Sequence, residues 1–488
     1  MSQAGKSSKK RIYLNAFDAC TVGHTCPGQW RNPADHSSDK RNLDYWLETA
    51  KILEKGKFLS YFLADTVGGF DVYKGSRDPA IKIASEFPVT DPFVPISAMA
   101  AITKSLGFGV TASTSYERPF LLARRFSTLD HFTKGRIGWN IVTSWNKSSA
   151  LAMGLTDIIP HDERYAAADE LMDVLYQLWE SSIADDAVVK DKASETYIDP
   201  SKVRTIKHQG KYHQLESPFI VDPSPQRTPF LFQAGTSPVT PQAESSPHHS
   251  SDSYISAGSA FAAKHAEAIF VAGHVPGTLA PKIAKIRQLA AERGRDPQSL
   301  KFFQCLTLIL GKTDEDAQAK LDEIRKYQSI EGGLVIFSAF TGIDLSKYEL
   351  DEEVKPEDSK SSAIIQSAFS NLFNEEQGTG KWTPRRAAEE LSIGGNGAVL
   401  VGSPQTVADG LERWVTEADV DGFNLSPVVQ PQSWNDIVEL LIPELQSRGI
   451  YWDDYDAPGG TLRENAQGKG NSRLRTDHFG HSYTYDKA

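Results

Sequence analysis

The sequence has few cysteines and no long apolar stretch. Three cysteines in 488 residues, Cys20, Cys26 and Cys305, cannot form a disulfide framework, and this sparse, odd set indicates a reducing compartment. No segment approaches the ~20 consecutive apolar residues that a membrane-spanning helix needs. The polar start of the chain also lacks the apolar core of a signal peptide. We therefore expect a cytoplasmic protein without a membrane partner.

Positive charge is also scarce. The chain has 52 Lys and Arg residues against 63 Asp and Glu residues, which gives a net charge of -11. A nucleic-acid-binding surface needs a basic stripe that neutralises phosphates. The one basic cluster, KSSKKR at 6–11, falls at a polar tail over 1–10 that we predict to be disordered. We therefore expect no nucleic-acid partner.

Metal-ligand spacing is missing as well. Cys20, His24, Cys26 and His36 fall in a polar segment after the first predicted strand, but their spacing matches no usual zinc finger or ribbon. We predict no metal site, and we expect these residues in a loop at the mouth of the fold.

What the sequence does contain is a regular alternation of apolar, β-branched runs with amphipathic helical segments. The clearest example has buried strands at LGFGVTAST (106–114) and RIGWNIVT (136–143). The helix RPFLLARRFSTLDHF (118–132) separates them, and another helix follows over 164–182. Strands and helices that alternate through short links demand a parallel sheet covered by helices.

About eight such strand–helix pairs follow one another along the chain, which predicts an α/β fold of the (β/α)8, or TIM-barrel, type. In such a barrel, ligands bind at the carboxyl ends of the strands. The predicted strands are 12–19, 58–65, 106–114, 136–143, 228–235, 268–273, 301–311 and 422–425.

We predict one barrel domain over 11–450, followed by a C-terminal extension over 451–488. Insertions interrupt the barrel at 183–228, 239–256 and 331–396. In the first insertion, KVRTIKHQGKYHQL alternates around a Gln-Gly pair and predicts a hairpin. The third insertion is polar and predicted to be irregular, and its length suggests a lid over a site.

Several motifs together resemble one enzyme family. RPFLLARRFSTLDHFTKGRIGWNIVTSW, followed by HDERY at 161–165, is similar to the bacterial-luciferase-like flavin monooxygenases. Within them it resembles the branch of the nitrilotriacetate, dibenzothiophene-sulfone and long-chain alkane monooxygenases. Further matches are IYLNAF, GQWRNP, FLAD (62–65), FQAGTS (232–237) and VGSPQTVAD (401–409). The matches extend over 11–449, so the resemblance implies a luciferase-like TIM barrel with insertions.

The resemblance implies a two-component monooxygenase. Reduced FMN (FMNH2), supplied by a separate NAD(P)H:flavin reductase, would react with O2, and the resulting flavin (hydro)peroxide would insert one oxygen atom into a small organic substrate. The outcome would be C–S cleavage, C–N cleavage or hydroxylation, in a homodimer or homotetramer. Two alternatives stay open: a hydride-transfer oxidoreductase that uses the deazaflavin F420, and a flavin-binding protein without monooxygenase turnover.

Two short patterns could bind a cofactor on residue chemistry alone. His161 and Tyr165 stand four residues apart at a predicted helix start, so both side chains can face one ligand. A histidine there is also a common capping residue, and a tyrosine is common in cores. Gly235 to Ser237, between a strand end and a helix start, form either a phosphate cradle or an ordinary tight turn.

The resemblance assigns a set of residues to the flavin. The cofactor-binding candidates that it implies are Asp65, Thr111, Asn140, His161, Tyr165, Gly235 and Ser237. His161 is also the candidate for catalytic proton transfer. The Ser-, Pro- and His-rich segment over 239–256 interrupts the predicted phosphate loop, either as a surface insertion or as a retained intron.

Four aromatic residues lie near the predicted strand ends or in the loops that follow them. They form either a wall for an apolar or aromatic substrate or part of the core. These residues are Phe17, Trp30, Trp139 and Trp145.

Overall fold

Eight parallel strands of the chain close into a barrel. The computed structural model describes residues 9–234, 256–353 and 382–487. Its strands are β1 (Tyr13–Ala19), β2 (Ser60–Ala64), β3 (Gly107–Ser113), β4 (Ile137–Val142), β5 (Val188–Asp191), β6 (Thr196–Ile198), β7 (Thr205–Gln209), β8 (Gln214–Pro218), β9 (Phe230–Ala234), β10 (Ala268–Val271), β11 (Lys301–Leu310), β12 (Ala398–Gly402) and β13 (Gly422–Ser426). The closed ring runs β1-β2-β3-β4-β9-β10-β11-β13 and returns to β1. This is the predicted (β/α)8 TIM barrel. The additional strand β12 pairs with the carboxyl-terminal half of β11.

Helices cover the outside of the ring. None of those in the described ranges is long and apolar enough to cross a membrane. The helices are α1 (Leu43–Lys55), α2 (Asp78–Ile83), α3 (Ile96–Ile102), α4 (Pro119–Phe132), α5 (Lys147–Ala152), α6 (His161–Tyr176), α7 (Ala257–His265), α8 (Pro276–Glu292), α9 (Asp314–Lys326), α10 (Ile330–Thr341), α11 (Pro384–Leu391), α12 (Pro404–Ala418), α13 (Gln432–Asp436), α14 (Ile442–Ser447) and α15 (Leu462–Gln467).

Aromatic side chains fill the barrel interior. The ring centroids of Phe62 and Phe270 are 4.4 Å apart, and Phe232 stacks on Phe270 at 5.3 Å. A Cβ atom on Gly109 would lie 2.8 Å from Phe62, and one on Gly138 would lie 2.6 Å from Phe232. The neighbouring strands β3 and β4 therefore carry glycine because the close-packed rings leave no room for a side chain.

The first insertion contains two hairpins, one of which the sequence predicted. β7 and β8 pair as expected, with Gln209 opposite Gln214, and β5 with β6 form the second hairpin. The strands of the second hairpin are short and largely exposed, so they carry no clear alternation.

The prediction that 331–396 is irregular is wrong for its described parts. α10 and α11 pack together there, and Phe337 and Trp382 join Phe70 in a second hydrophobic cluster. α10 escaped prediction because it is apolar on nearly every face and shows no amphipathic stripe. Residues 354–381 lie outside the described residues, so the lid stays a prediction.

The C-terminal segment covers the end of the barrel where the strands begin. The Tyr455 hydroxyl donates to the carbonyl oxygen of Phe58, just before β2. The buried Arg463 donates to the carbonyl of Thr228 before β9 and forms an ion pair with Glu267, with 2.7 Å between Nε and Oε1. The carboxyl ends of the strands are therefore the end at which a ligand can enter.

Candidate functional site

Two of the predicted site residues meet directly inside the barrel. The amide nitrogen Nδ2 of Asn140 on β4 donates to Oγ1 of Thr111 on β3 over 2.9 Å. Both side chains are buried, and Oδ1 of Asn140 has no hydrogen-bond partner among the described residues. A buried amide oxygen without a partner is costly. The pair therefore offers a free acceptor to a ligand or to water in the barrel.

Hydroxyl groups link the ends of β3 and β4 above this pair. Oγ of Ser115 donates to the carbonyl oxygen of Thr143 over 2.6 Å, and Oγ of Ser144 donates to Oγ of Ser113 over 2.7 Å. Since both bonds join the end of β3 to the end of β4, they hold this part of the rim in one shape.

His161 and Tyr165 contact each other in the first turns of α6. Their ring centroids are 5.0 Å apart, and the Tyr165 ring also packs edge-on against Phe261 of α7 at 5.8 Å. Burial raises the pKa of the Tyr165 hydroxyl, which has a side-chain hydrogen bond to Thr143 at the end of β4. This hydrogen bond ties the start of α6 to the same rim that carries Asn140.

The His161 ring presents one free nitrogen. Its Nδ1 lies 2.9 Å from Oδ1 of Asp162, whereas its Nε2 is buried and has no partner among the described residues. The sequence predicted that His161 and Tyr165 can face one ligand, and the structure brings the two rings together.

Asp65 directly follows β2, the strand that pairs with β3. In the described ranges no hydrogen bond joins it to Thr111, Asn140, His161 or Tyr165. Burial first, and then the negative charges of neighbouring carboxylates, raise the pKa of its carboxyl group to about 7. Near neutral pH this group can therefore either donate or accept a hydrogen bond. The neighbouring carboxylates are Asp91, Glu86 and Glu117.

Gly235 and Ser237 lie outside the described residues, as does the inserted segment except for its last residue. The elements on either side are described: β9 ends at Ala234, and α7 begins after Ser256, whose Oγ accepts from the backbone N–H of Ser259 over 3.1 Å. The phosphate cradle stays a prediction.

The four aromatic candidates separate into different environments. Trp139 belongs to the core, where its Nε1 donates to the carbonyl of Ala112 over 3.1 Å. Trp30 donates to the carbonyl of Ile83 on the outside of a loop. Phe17 faces the barrel interior and lies 5.5 Å from the Phe62 ring.

Trp145 lies at the mouth beside two rings that the sequence did not connect with it. Its ring centroid is 6.3 Å from Phe70 and 5.6 Å from Phe340. Trp145 is 45% exposed and Phe340 48% exposed, whereas Phe70 is buried. Trp145 and Phe340 therefore form an accessible aromatic face that packs on Phe70.

Sequence analysis missed two further histidines at the mouth as site residues. Nδ1 of His24, in the loop after β1, lies 2.5 Å from Oε1 of Glu86. His274 follows β10, and burial lowers its pKa to about 4. The Nε2 atoms of both rings are buried without a partner among the described residues. Only the position after a strand end could have indicated them, because Glu86, the partner of His24, lies 62 positions away in sequence and no partner of His274 appears among the described residues.

The polar groups at the mouth fit a flavin. Asn140 and His161 each keep a buried atom without a partner among the described residues, and the His161 ring contacts the Tyr165 ring. The first turn of α7 lies beside the end of β9, where Gln233 donates to the carbonyl of Gly258. A flavin carries an extended ring with polar edges, a ribityl chain and a phosphate, and these groups can use such acceptors, rings and helix starts.

Known proteins with similar sequences and structures are luciferase-like monooxygenases. The family model described as luciferase-like monooxygenase matches residues 22–421. The chain is 44% identical over 470 residues to dimethyl-sulfide monooxygenase of Hyphomicrobium sulfonivorans, covering 96% of this chain and 93% of that protein. It is 44% identical over 474 residues to long-chain alkane monooxygenase of Geobacillus thermodenitrificans, covering 97% and 98%. The crystal structure of DmoA from Hyphomicrobium sulfonivorans superposes with a TM-score of 0.88 at 43% identity, covering 98% and 96%.

Proposed function

The chain belongs to the luciferase-like monooxygenase family, and we propose on this premise that it is an FMN-dependent monooxygenase of a two-component system. It would use reduced FMN and O2 to place one oxygen atom on a small organic substrate, by C–S cleavage, C–N cleavage or hydroxylation. The observation that carries the proposal is that two candidate residues keep buried atoms without a partner among the described residues: Oδ1 of Asn140 on β4, and Nε2 of His161, whose ring contacts Tyr165.

Bound reduced flavin would supply the electrons that activate O2. Thr111 and Asn140 would hold its polar edge or ribityl chain, since Asn140 keeps a free acceptor after bonding Thr111. Tyr165 would pack against the cofactor through a ring that Phe261 and Thr143 already hold in place. The predicted phosphate contacts of Gly235 and Ser237 complete this proposed site.

Two ionisable groups would handle protons beside the flavin. Asp65, with a pKa raised to about 7, changes protonation state near neutral pH and so can follow a change of charge on the cofactor. His161 keeps Nε2 free while Asp162 contacts Nδ1. It would therefore hold or move a proton at Nε2.

The aromatic face of Trp145 and Phe340, which packs on the buried Phe70, supports an apolar group on the substrate. Asn146, which follows Trp145, caps α5, and the hydroxyls of Ser148 and Ser149 in α5 donate to carbonyl oxygens of the loop that carries Phe70. The rings are therefore held in position before a substrate arrives, which lowers the entropic cost of binding. Dimethyl sulfide and long-chain alkanes, named in two relatives, are apolar compounds of this kind.

The other components are proposed from the family. An NAD(P)H:flavin reductase would supply FMNH2 by contact or by diffusion, and the chain would assemble as a homodimer or homotetramer in the cytoplasm. The reductase proposal predicts that NAD(P)H alone does not reduce FMN in the presence of this protein.

A titration with reduced flavin in the absence of O2, followed by admission of ¹⁸O2, tests the proposed function. We expect saturable binding of FMNH2, and products that carry one ¹⁸O atom when sulfides, alkanes, sulfones and aminopolycarboxylates are screened. Binding of reduced F420 in place of FMNH2 would favour hydride transfer instead. FMNH2 binding with no ¹⁸O in any product would favour a flavin-binding protein without turnover.

A further inference from the structure

The helix α7 lies beside the proposed flavin site, and a long connection separates it from the preceding barrel strand. β9 ends at Ala234, and α7 begins at Ala257. Connections between a strand and the next helix usually span about two to six residues, and a longer connection contributes less to holding its two ends together. The position of α7 therefore depends on its contacts with other elements.

Asp169 of α6 binds two residues at the end of α7. Its Oδ1 lies 2.7 Å from Nε2 of His265, and its two oxygen atoms accept from Nζ of Lys264 over 2.7 and 2.8 Å. Burial tends to raise the pKa of the Asp169 carboxyl, but the hydrogen bonds from His265 and Lys264 outweigh burial and lower the pKa to about 2. Near neutral pH Asp169 is therefore a charged acceptor for both donors.

The His265 ring is fully buried, and both of its nitrogens have partners in α6. Burial lowers the pKa of the ring to about 4, so near neutral pH it carries a single proton. Because a carboxylate can only accept, that proton lies on Nε2, and Nδ1 accepts from the Tyr176 hydroxyl over 3.1 Å. Asp169 and Tyr176 thus hold the end of α7 at two points along α6.

The segment 478–483 contacts the same two helices. Nε2 of His478 donates to the carbonyl oxygen of His265 over 2.9 Å, and Nδ1 of His478 accepts from a backbone N–H of the segment itself. The Tyr483 hydroxyl donates to Oδ1 of Asp173 in α6 over 2.9 Å. The segment therefore adds one contact to α7 and one to α6. We call the whole arrangement the helix clamp, and its main residues are Asp169, Tyr176, Lys264, His265, His478 and Tyr483.

The helix clamp is connected to the proposed flavin site through both helices. His161, Tyr165 and Asp169 follow one another at four-residue spacing and so share one face of α6. In α7 the Phe261 ring contacts the His265 ring, with 4.6 Å between the centroids, and it contacts the Tyr165 ring at 5.8 Å. A shift of α7 would therefore remove support from Tyr165 and move the first turn of α7, which lies beside the end of β9.

We propose that Asp169 is a positioning residue, which holds α7 against α6 and thereby sets the affinity for the phosphate end of the flavin. The inference rests on the proposed function, in which the first turn of α7 lies next to the predicted phosphate contacts. Asp169 acts through Lys264 and His265 and does not touch the cofactor. The helix clamp thus maintains the position that a short connection from β9 would otherwise fix.

The test compares Asp169→Ala with the control Asp436→Ala, both in the full chain. Asp436 of α13 accepts from Nζ of Lys320 of α9 over 2.7 Å, so the control breaks an ion pair of the same length between two other outer helices. Two milder variants accompany them. Asp169→Asn keeps an acceptor for His265, and Tyr483→Phe removes one hydrogen bond of the helix clamp.

Four quantities would be measured for each variant: the affinity for FMNH2 without O2, the affinity for reduced riboflavin, the thermal midpoint, and hydrogen–deuterium exchange of the α7 amides. Reduced riboflavin has the same ring and ribityl chain as FMNH2 but lacks the phosphate. The ratio of the two affinities therefore isolates the phosphate end of the site. The exchange measurement reports the mobility of α7 without any ligand.

We expect Asp169→Ala to weaken FMNH2 binding about 5- to 20-fold, the range found when a residue acts on a site through its neighbours. Its affinity for reduced riboflavin should stay within about twofold, because the helix start interacts mainly with the anionic group. Exchange of the α7 amides should become faster. Asp169→Asn and Tyr483→Phe should each weaken FMNH2 binding about threefold, and Asp436→Ala should change neither affinity by more than about twofold.

Two results would overturn the inference. One is an Asp169→Ala variant in which α7 exchange and FMNH2 affinity are both unchanged. The other is an equal loss of affinity for FMNH2 and reduced riboflavin together with a thermal midpoint well below that of Asp436→Ala, which marks a general loss of structure. Failure of the unchanged protein to bind FMNH2 is a separate result, since it contradicts the proposed function, and α7 exchange in Asp169→Ala then still decides whether Asp169 holds the helix.

Discussion

The amide of Asn140 donates to the hydroxyl of Thr111 across two neighbouring strands, over 2.9 Å. The bond orients the amide so that its oxygen stays free in the barrel interior. Removing the hydroxyl would release the amide to rotate, and the acceptor would no longer be held for a ligand.

Thr111→Val should therefore weaken FMNH2 binding by about five- to tenfold, which corresponds to the net free energy of one lost hydrogen bond. The measurement is the anaerobic flavin titration. Thr128→Val is the matched control, because the Thr128 hydroxyl donates to the carbonyl of Arg124 on the exposed face of α4. Equal affinities in the two variants would show that the Asn140–Thr111 bond does not prepare the site.

Asp65 should make stability depend on pH. Its pKa is raised to about 7 from an ordinary value of 3.8, so the folded state holds a proton that the unfolded state has released between about pH 4 and pH 7. The free energy of unfolding therefore falls as the pH rises through that range, because the folded protein must keep a buried group that prefers to be protonated. Asp65→Asn cannot ionise, so this fall is absent from the variant. The thermal midpoint of Asp65→Asn should exceed that of the unchanged protein at pH 8.

The difference in thermal midpoint between Asp65→Asn and the unchanged protein should shrink as the pH approaches 4, because Asp65 then holds its proton in both the folded and the unfolded state. An excess that grows toward low pH would contradict the raised pKa. Asp222→Asn, which changes an exposed carboxylate near the end of α4, is the control and should show little dependence on pH.

Arg463→Leu should destabilise the barrel strongly. The substitution leaves Glu267 buried without the guanidinium that now lies 2.7 Å away, and an uncompensated buried charge costs about 3–5 kcal/mol. Adding Glu267→Gln should restore part of the loss. Thermal midpoints measure both effects, and Arg325→Ala, which breaks an exposed pair with Asp322, should change stability by less than about 1 kcal/mol.

Trp145→Ala should raise the KM for an apolar substrate about 10- to 100-fold, the change expected when a substrate loses a few apolar contacts. The affinity for FMNH2 should stay within about twofold of that of the unchanged protein. We expect this rise in KM because Trp145 packs against Phe70 and Phe340 and forms part of the proposed apolar subsite. Steady-state kinetics with a dialkyl sulfide or an alkane provide the measurement.

Phe132→Ala is the control for Trp145→Ala, since Phe132 is 66% exposed on α4. A KM that is unchanged in Trp145→Ala would place the apolar subsite elsewhere.

Much of the fold could be read from the order of local patterns. The strand 106–114, the helix 118–132 and the strand 136–143 appear as β3, α4 and β4 within one or two residues at each end. The four-residue spacing of His161 and Tyr165 predicted that both side chains lie on one face of a helix, and the structure places the two ring centroids 5.0 Å apart. Such features repeat every two, three or four residues, so a short window of sequence contains them.

Other features depended on how distant segments meet. His24 and Glu86 are 62 positions apart, and their contact exists only because two loops approach at Gly23. Trp139 and Trp145 look alike in sequence, yet one is core and the other lies at the mouth, because Trp139 lies within β4 and Trp145 follows its end.

The sequence by itself therefore determined the eight barrel strands and their order, since apolar periodicity and short links leave a parallel barrel as the arrangement that buries every strand. The tertiary structure alone decided which loop residues face each other across the mouth. Closure of the barrel sets those distances, and no local pattern along the chain contains them.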